Sequence, residues 1–188
     1  FTTFKNSKEK EFIYTNTIKN WASFLPHIQP VLFATFNNTP ILDVARDNGW
    51  HVIPCPRVNY AGTPYLKDMY QAVLKRYDFH MSAFSNGDIL YHGLIETLRA
   101  TVEQFPKLNT TLVVGKRWNH QLNKDRSVYK NDPLWKPSKV KAVAQKGVSG
   151  LFRTDAEDYF FVTDDFPWKD VKDVVIGRPG YDNYMVAR

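Results

Sequence analysis

The chain has 188 residues and a formal net charge of +6, and 43% of its residues are hydrophobic and 15% aromatic. Thirteen Phe, ten Tyr and five Trp exclude a disordered segment and suit a single domain over residues 1–188 with a core of its own. The basic residues are scattered, with no block of five or six, which argues against a nucleic-acid-binding arm, and no apolar run reaches the length of a membrane span. Residues 1–5 read as a strand. Asn6, with Glu9 three positions on, resembles a capping box, and the spacing over 8–24 places Ile13, Thr17, Trp21 and Phe24 on one helical face. Residues 30–36 (PVLFATF) form an apolar run of strand length; Pro40 then opens a short helix that Gly49 closes, and 51–54 is another strand. Pro64 opens a helix through Tyr77, with Leu66, Met69, Tyr70, Val73 and Leu74 at helical spacing. A strand over 79–85, a helix over 90–104 presenting Leu94, Ile95, Leu98 and Val102, and a strand over 111–115 follow. Residues 116–147 are polar and basic and read as a long excursion over one end of the sheet. Residues 158–163 return as a strand, and a last helix begins at 179.

This alternation predicts an α/β fold with a mostly parallel central sheet flanked by helices on both faces, a Rossmann-like arrangement. Continuous apolar strands fit a sheet covered on both sides. The chain begins strand-like at Phe1 and stops at Arg188 inside a helical stretch, as a domain cut at both ends would.

In an open α/β sheet, ligands collect outside the carboxyl ends of the parallel strands. The polar residues just past each predicted strand therefore converge at one edge: Thr3 and Asn6, Asn37, Arg57 and Asn59, Asn86 and Asp88, and Arg117. A groove of amides, two arginines and one carboxylate suits an anionic ligand with hydrogen-bonding edges, such as a nucleotide; Asn and Arg are also simply frequent in loops. Asn86-Gly87-Asp88 ends the fourth strand, and an acidic residue at such a tip can hold a divalent cation against phosphates. The same tripeptide is an ordinary turn sequence. Near the other end, Gly177 and Gly180 bracket Pro179, and Asp182 falls in the first helical turn, where exposed N–H groups favour a carboxylate. Asp182 either caps that helix or faces the groove, as a base or as an anchor for a hydroxyl-rich acceptor.

Several familiar sites are absent. There is no Gly-x-Gly-x-x-Gly, no Gly-x-x-x-x-Gly-Lys-Ser/Thr and no Gly-x-Ser-x-Gly. Cys55, between two prolines, reads as a small hydrophobe ahead of a nucleophile, and a single cysteine excludes an intrachain disulfide. The five histidines show no zinc spacing, and His92 reads as a helix-surface residue ahead of a neighbour to an Asp88-bound metal. Asn37-Asn38-Thr39 and Asn109-Thr110-Thr111 match the N-glycosylation pattern, a common one by chance, and no signal peptide is visible. Localisation stays open between the cytoplasm and, for a chain whose signal or anchor has been removed, the secretory lumen.

Taken together, these residues resemble the GT-A glycosyltransferases, the nucleotide-diphospho-sugar transferase superfamily, and within it a little-characterised branch. The likeness is carried by Thr2-Thr3-Phe4-Lys5, Asn20-Trp21, Gly62-Thr63-Pro64, Ser85-Asn86-Gly87-Asp88, Gly115-Lys116-Arg117 and Gly177-Arg178-Pro179-Gly180-Tyr181-Asp182-Asn183, in order along nearly the whole chain. It implies the GT-A fold and a nucleotide-sugar donor, commonly a UDP-sugar, in contact with Thr3, Phe4, Asn37, Asn59, Thr63, Asn86, Gly87 and Arg117. It also implies Mn²⁺ or Mg²⁺ on Asp88, with Asn86 standing where the family has the first carboxylate of its Asp-x-Asp. Asp182 matches the acidic residue that deprotonates the hydroxyl of a glycan or other acceptor in inverting members. Two other classes compete with the transferase: a non-catalytic module of the same build that binds nucleotide or glycan, and a sugar-phosphate nucleotidyltransferase, which the lack of a Gly-rich basic loop after the first strand disfavours.

Overall fold

The computed structural model describes residues 1–35, 39–104, 110–115, 117–130, 132–146, 157–177 and 180–186. Helix α1 (Glu11–Ala22) follows a 3-10 turn over Lys8–Lys10. The expected capping box does not form: no side chain caps this turn, and the Ser7 carbonyl accepts the Lys10 N–H at 3.2 Å. Strand β1 (Val31–Ala34) shows why its run is apolar throughout. Successive side chains point to opposite faces, so Val31 and Phe33 enter one core cluster with Ile53, Tyr70, Phe84 and Phe160. Leu32 enters a second with Phe4, Tyr14, Ile18, Trp21, Leu42 and Trp50. Helix α2 (Pro40–Asp47) starts at a proline, whose missing N–H falls where the helix has no partner for it. Gly49, at φ 79, turns the chain into β2 (His51–Pro54).

Helix α3 (Leu66–Arg76) buries Leu66, Met69, Tyr70 and Val73 on one face. Pro64 lies before it, in a short bridge to Val58, and the neighbouring residues 64–66 hydrogen-bond to 174–176. Then come β3 (Met81–Ser85), α4 (Leu94–Gln104), β4 (Leu112–Gly115), α5 (Pro137–Gln145), β5 (Tyr159–Thr163) and α6 (Tyr181–Val186).

The mostly parallel central sheet, and with it the expected fold class, is overturned. β1 and β2 pair as a two-stranded parallel sheet, while β3, β5 and β4 make a three-stranded sheet, in that order, in which β5 runs antiparallel to both neighbours. Alternation along a sequence carries no information about strand direction. β5 follows the long segment after β4 and enters the gap between β3 and β4 from the opposite end. The helices are not evenly layered either, since α4 and α5 bury none of their described residues.

Residues 1–5 do not form the predicted strand; Thr2 alone bridges, in parallel to Leu32. Its N–H donates to the Val31 carbonyl at 3.0 Å and its carbonyl accepts the Phe33 N–H at 2.9 Å. On its other side, the Phe1 carbonyl accepts the Ser85 N–H at 3.1 Å. Phe1 and Thr2 are thus the seam between the two sheets. Part of the excursion after β4 docks on α1: Tyr129 packs on Phe12 at 5.7 Å between ring centroids, and the Arg126 guanidinium lies over the same ring.

Tyr70 ties α3 to the second sheet. Its hydroxyl donates to the Phe160 carbonyl at 2.5 Å and accepts the Phe84 N–H at 2.9 Å, and its ring stacks on Trp168 at 4.0 Å. Burial raises the phenol of Tyr70, and likewise those of Tyr14, Tyr91, Tyr159 and Tyr181, above the ordinary value. A folded state that keeps these protons binds more of them than the unfolded chain once pH passes about 10, so stability is lost as pH rises through that value. In an alkaline titration the buried phenols of Tyr70 and Tyr181 should ionise only together with loss of near-ultraviolet circular dichroism. Ionisation ahead of that loss would contradict their burial. Among the described residues no helix is long and apolar enough to cross a membrane.

Candidate functional site

A cavity of about 630 Å³ opens beside the seam, a size typical of small-molecule sites. Thr3, Phe4, Lys5 and Asn6 enter its wall as the chain leaves Thr2. Lys10 and Tyr14 add to it one turn apart at the start of α1, and Thr35 just after β1. Residues 61–64 contribute from the loop after β2, Asn86, Gly87 and Asp88 from the end of β3, and Arg117 from just past β4. Ile176 and Gly177 complete it, held against the 61–64 loop by the Ile176 N–H bond to the Pro64 carbonyl at 3.2 Å.

Seven residues singled out from sequence therefore meet in one cavity: Thr3, Phe4, Thr63, Asn86, Gly87, Asp88 and Arg117. Asn6 joins them. Asn37 lies outside the described residues, as do Lys116, Arg178 and Pro179. Asn59 and Asp182 are not in the cavity wall. The Asn59 side-chain oxygen accepts the N–H groups of Ala61 and Thr63, both at 2.9 Å, so it shapes the loop that presents Thr63. Arg57 is drawn away by Asp68 and Asp173, at 2.7 and 2.8 Å, and by the Tyr65 ring. Asp182 is half-buried, and its Oδ1 accepts the N–H of Asn183 at 3.0 Å.

The loop that carries Asp88 is clamped by α1. Asn20, fully buried, accepts the Tyr91 N–H at 2.7 Å, while its amide donates to the carbonyls of Tyr91 at 3.0 Å and Trp135 at 2.8 Å. Trp21 adds an indole N–H bond to the Ile89 carbonyl at 2.9 Å. Gly87 presses on Phe4: a Cβ there would fall 2.7 Å from the Phe4 ring. That ring is stacked on Tyr14 at 4.3 Å.

The sequence reading missed Asp158. It stands just before β5, with its carboxylate buried, and Oδ1 accepts from Arg117 Nη1 and from the Asn86 amide at 2.9 Å. Tyr181 donates in turn to Asn86 Oδ1 at 3.3 Å. Lys5, Lys10 and Tyr14 were missed as well. For Lys10 and Tyr14 a signal existed, since residues four apart on a helix share a face.

Three cations, Lys5, Lys10 and Arg117, thus share the wall with one carboxylate, Asp88. No family model, curated protein or solved structure matches this chain. What the site can do rests on its own chemistry. Because Asp158 pairs with Arg117 behind the wall, the three cations and two carboxylates together leave an excess of one positive charge, which favours an anion. Thr3 Oγ1 is buried without a hydrogen-bond partner among the described residues. No group of three or more His, Cys, Asp or Glu side chains is arranged for a metal among the described residues. A Mg²⁺-type ion takes one or two carboxylates and completes its shell with substrate phosphates and water, so Asp88 by itself does not make a metal site and could only be one ligand among others. Burial pushes the Cys55 thiol up, away from the thiolate form that a nucleophile uses.

Proposed function

We propose that this protein is a glycosyltransferase that moves a sugar from a nucleotide-sugar donor, a UDP-sugar first among candidates, to the hydroxyl of a glycan or other acceptor. The observation that carries the reading is the meeting of Asp88 with Lys5, Lys10 and Arg117 around one cavity of nucleotide size. The three cations attract and orient the diphosphate. Thr3, Asn6, Thr63 and Asn86 offer hydrogen bonds to nucleoside and sugar, and the 86–88 turn is seated against the buried Phe4 ring. Mn²⁺ or Mg²⁺ held by Asp88 would supply Lewis-acid stabilisation of the departing diphosphate. Asp182 is the candidate base for the acceptor hydroxyl. Its place outside the cavity wall favours, as a second reading, a non-catalytic module that binds nucleotide or glycan.

Thermal unfolding with UDP, with and without Mn²⁺, tests the donor site. At a concentration about a hundredfold above Kd, UDP should stabilise the fold by about 2.7 kcal/mol. Mn²⁺ should add to the shift, and Asp88→Ala should remove that addition while leaving the part due to the cations. Absence of any nucleotide-dependent shift would sink the reading. Donor hydrolysis that falls in Asp182→Asn supports the transferase, whereas binding without turnover, unaffected by Asp182→Asn, supports the module.

A further inference from the structure

We propose that Asp158 is a positioning residue for anion binding in the cavity, acting through Arg117 and Asn86; this rests on the reading of the cavity as a diphosphate site. Because β5 enters between β3 and β4, the residue just before it meets the residues that follow both neighbours. The Asp158 N–H donates to the Gly115 carbonyl and its carbonyl accepts the Asn86 N–H, both at 2.9 Å. Its side chain, 3% exposed, then holds Arg117 from one neighbouring strand and Asn86 from the other on a single oxygen.

Taking a carboxylate out of water is costly unless its partners compensate. Here Oδ1 has two donors, while Oδ2 is buried with none among the described residues. A buried ion pair is weak evidence of a gain in stability over apolar side chains of similar volume. The effect of this charge falls on two side chains that line the cavity, although Asp158 itself does not. Arg117 has a long side chain with many rotamers, and ordering it on binding costs affinity. The Asp158 carboxylate and the Asn119 amide oxygen, which accepts from Nε at 3.0 Å, hold the guanidinium in place before an anion arrives. Asn86 is fixed in the same way between Asp158 and Tyr181. The opposing view is that Asp158 only neutralises Arg117. The two views predict opposite signs: loss of the charge weakens anion binding if Asp158 positions, and strengthens it if Asp158 neutralises.

UDP and inorganic pyrophosphate, titrated calorimetrically into wild type, Asp158→Asn, Arg117→Ala and the double variant, separate them. Asp158→Asn should weaken both ligands about tenfold, a coupling of the size seen within one ion-pair network. The double variant should lose clearly less than the sum of the two single losses, since the part that passes through Arg117 is already gone in Arg117→Ala and only the part through Asn86 remains. Tighter or unchanged binding in Asp158→Asn, or additive losses in the double variant, overturns the proposal and leaves the cavity assignment standing. Should Asp158→Asn fail to fold, Arg117→Lys serves, since it keeps the charge but not the planar fork. It should lose pyrophosphate as Arg117→Ala does, and wild-type affinity there overturns the proposal. A wild-type protein that binds neither ligand removes the cavity assignment, and this proposal with it.

Discussion

Asn20→Ala should lower stability by about 4 kcal/mol. The side chain is fully buried and makes three hydrogen bonds, all to backbone groups of distant segments. Truncation leaves the Tyr91 N–H and the carbonyls of Tyr91 and Trp135 without partners, each costing about 1–3 kcal/mol when no water can reach it. For a chain of this length, that corresponds to a fall in Tm of roughly 10 °C. Asn20→Asp should be no better, because a carboxylate cannot donate to the two carbonyls. The loss also reaches the site: Tyr91 is three residues past Asp88, so Mn²⁺-dependent stabilisation by UDP should weaken along with the fold. Denaturant unfolding checks the first part, and a loss below about 1 kcal/mol would show that the clamp is not holding this loop.

Gly87→Ala should cost about 2 kcal/mol and abolish nucleotide-dependent stabilisation. The added Cβ would lie 2.7 and 2.8 Å from two atoms of the Phe4 ring and 3.3 Å from the Thr3 carbonyl oxygen. Phe4 is confined, being buried between Tyr14, stacked on it at 4.3 Å, and Trp50 at 6.2 Å. Either that ring or the 86–88 turn must shift, and both line the cavity. Combining Gly87→Ala with Phe4→Leu should recover part of the loss, because the smaller side chain makes room, so the pair is expected to be less than additive. Additive losses would mean that the clash is relieved elsewhere.

Part of the cavity wall was legible in the sequence even though the sheet was not. The rule used was that polar residues past strand ends collect at one edge. It depends only on the strands that carry them running the same way. β1 and β2 are parallel, and β3 and β4 both run against β5 and hence with each other. The reversed strand, β5, contributed none of the predicted site residues, so the error in fold class left Thr3, Asn86, Asp88 and Arg117 together. Asn59 and Arg57 escaped the rule because each has a nearer partner: its own loop for the one, Asp68 and Asp173 for the other. Asp158 was invisible as a site residue because it read as the first residue of an apolar strand.

The sequence by itself determined roughly where α1 to α4, α6 and most of the strands lie, which face of α3 is buried, and why β1 is apolar along its whole length. Those features depend on side-chain periodicity within a few residues, which is local. It did not show α5, or that α1 buries Tyr14, Ile18 and Asn20 in place of Ile13. Only the tertiary structure decided the direction of β5, the division into two sheets joined at Thr2, and the partners of Asn20 and Asp158. Asn20 reaches Tyr91, 71 positions away, and Trp135, 115 away; Asp158 reaches Asn86 across 72 and Arg117 across 41. No periodicity encodes such pairs. They form because a buried amide or carboxylate must find donors and acceptors wherever the packed chain brings them.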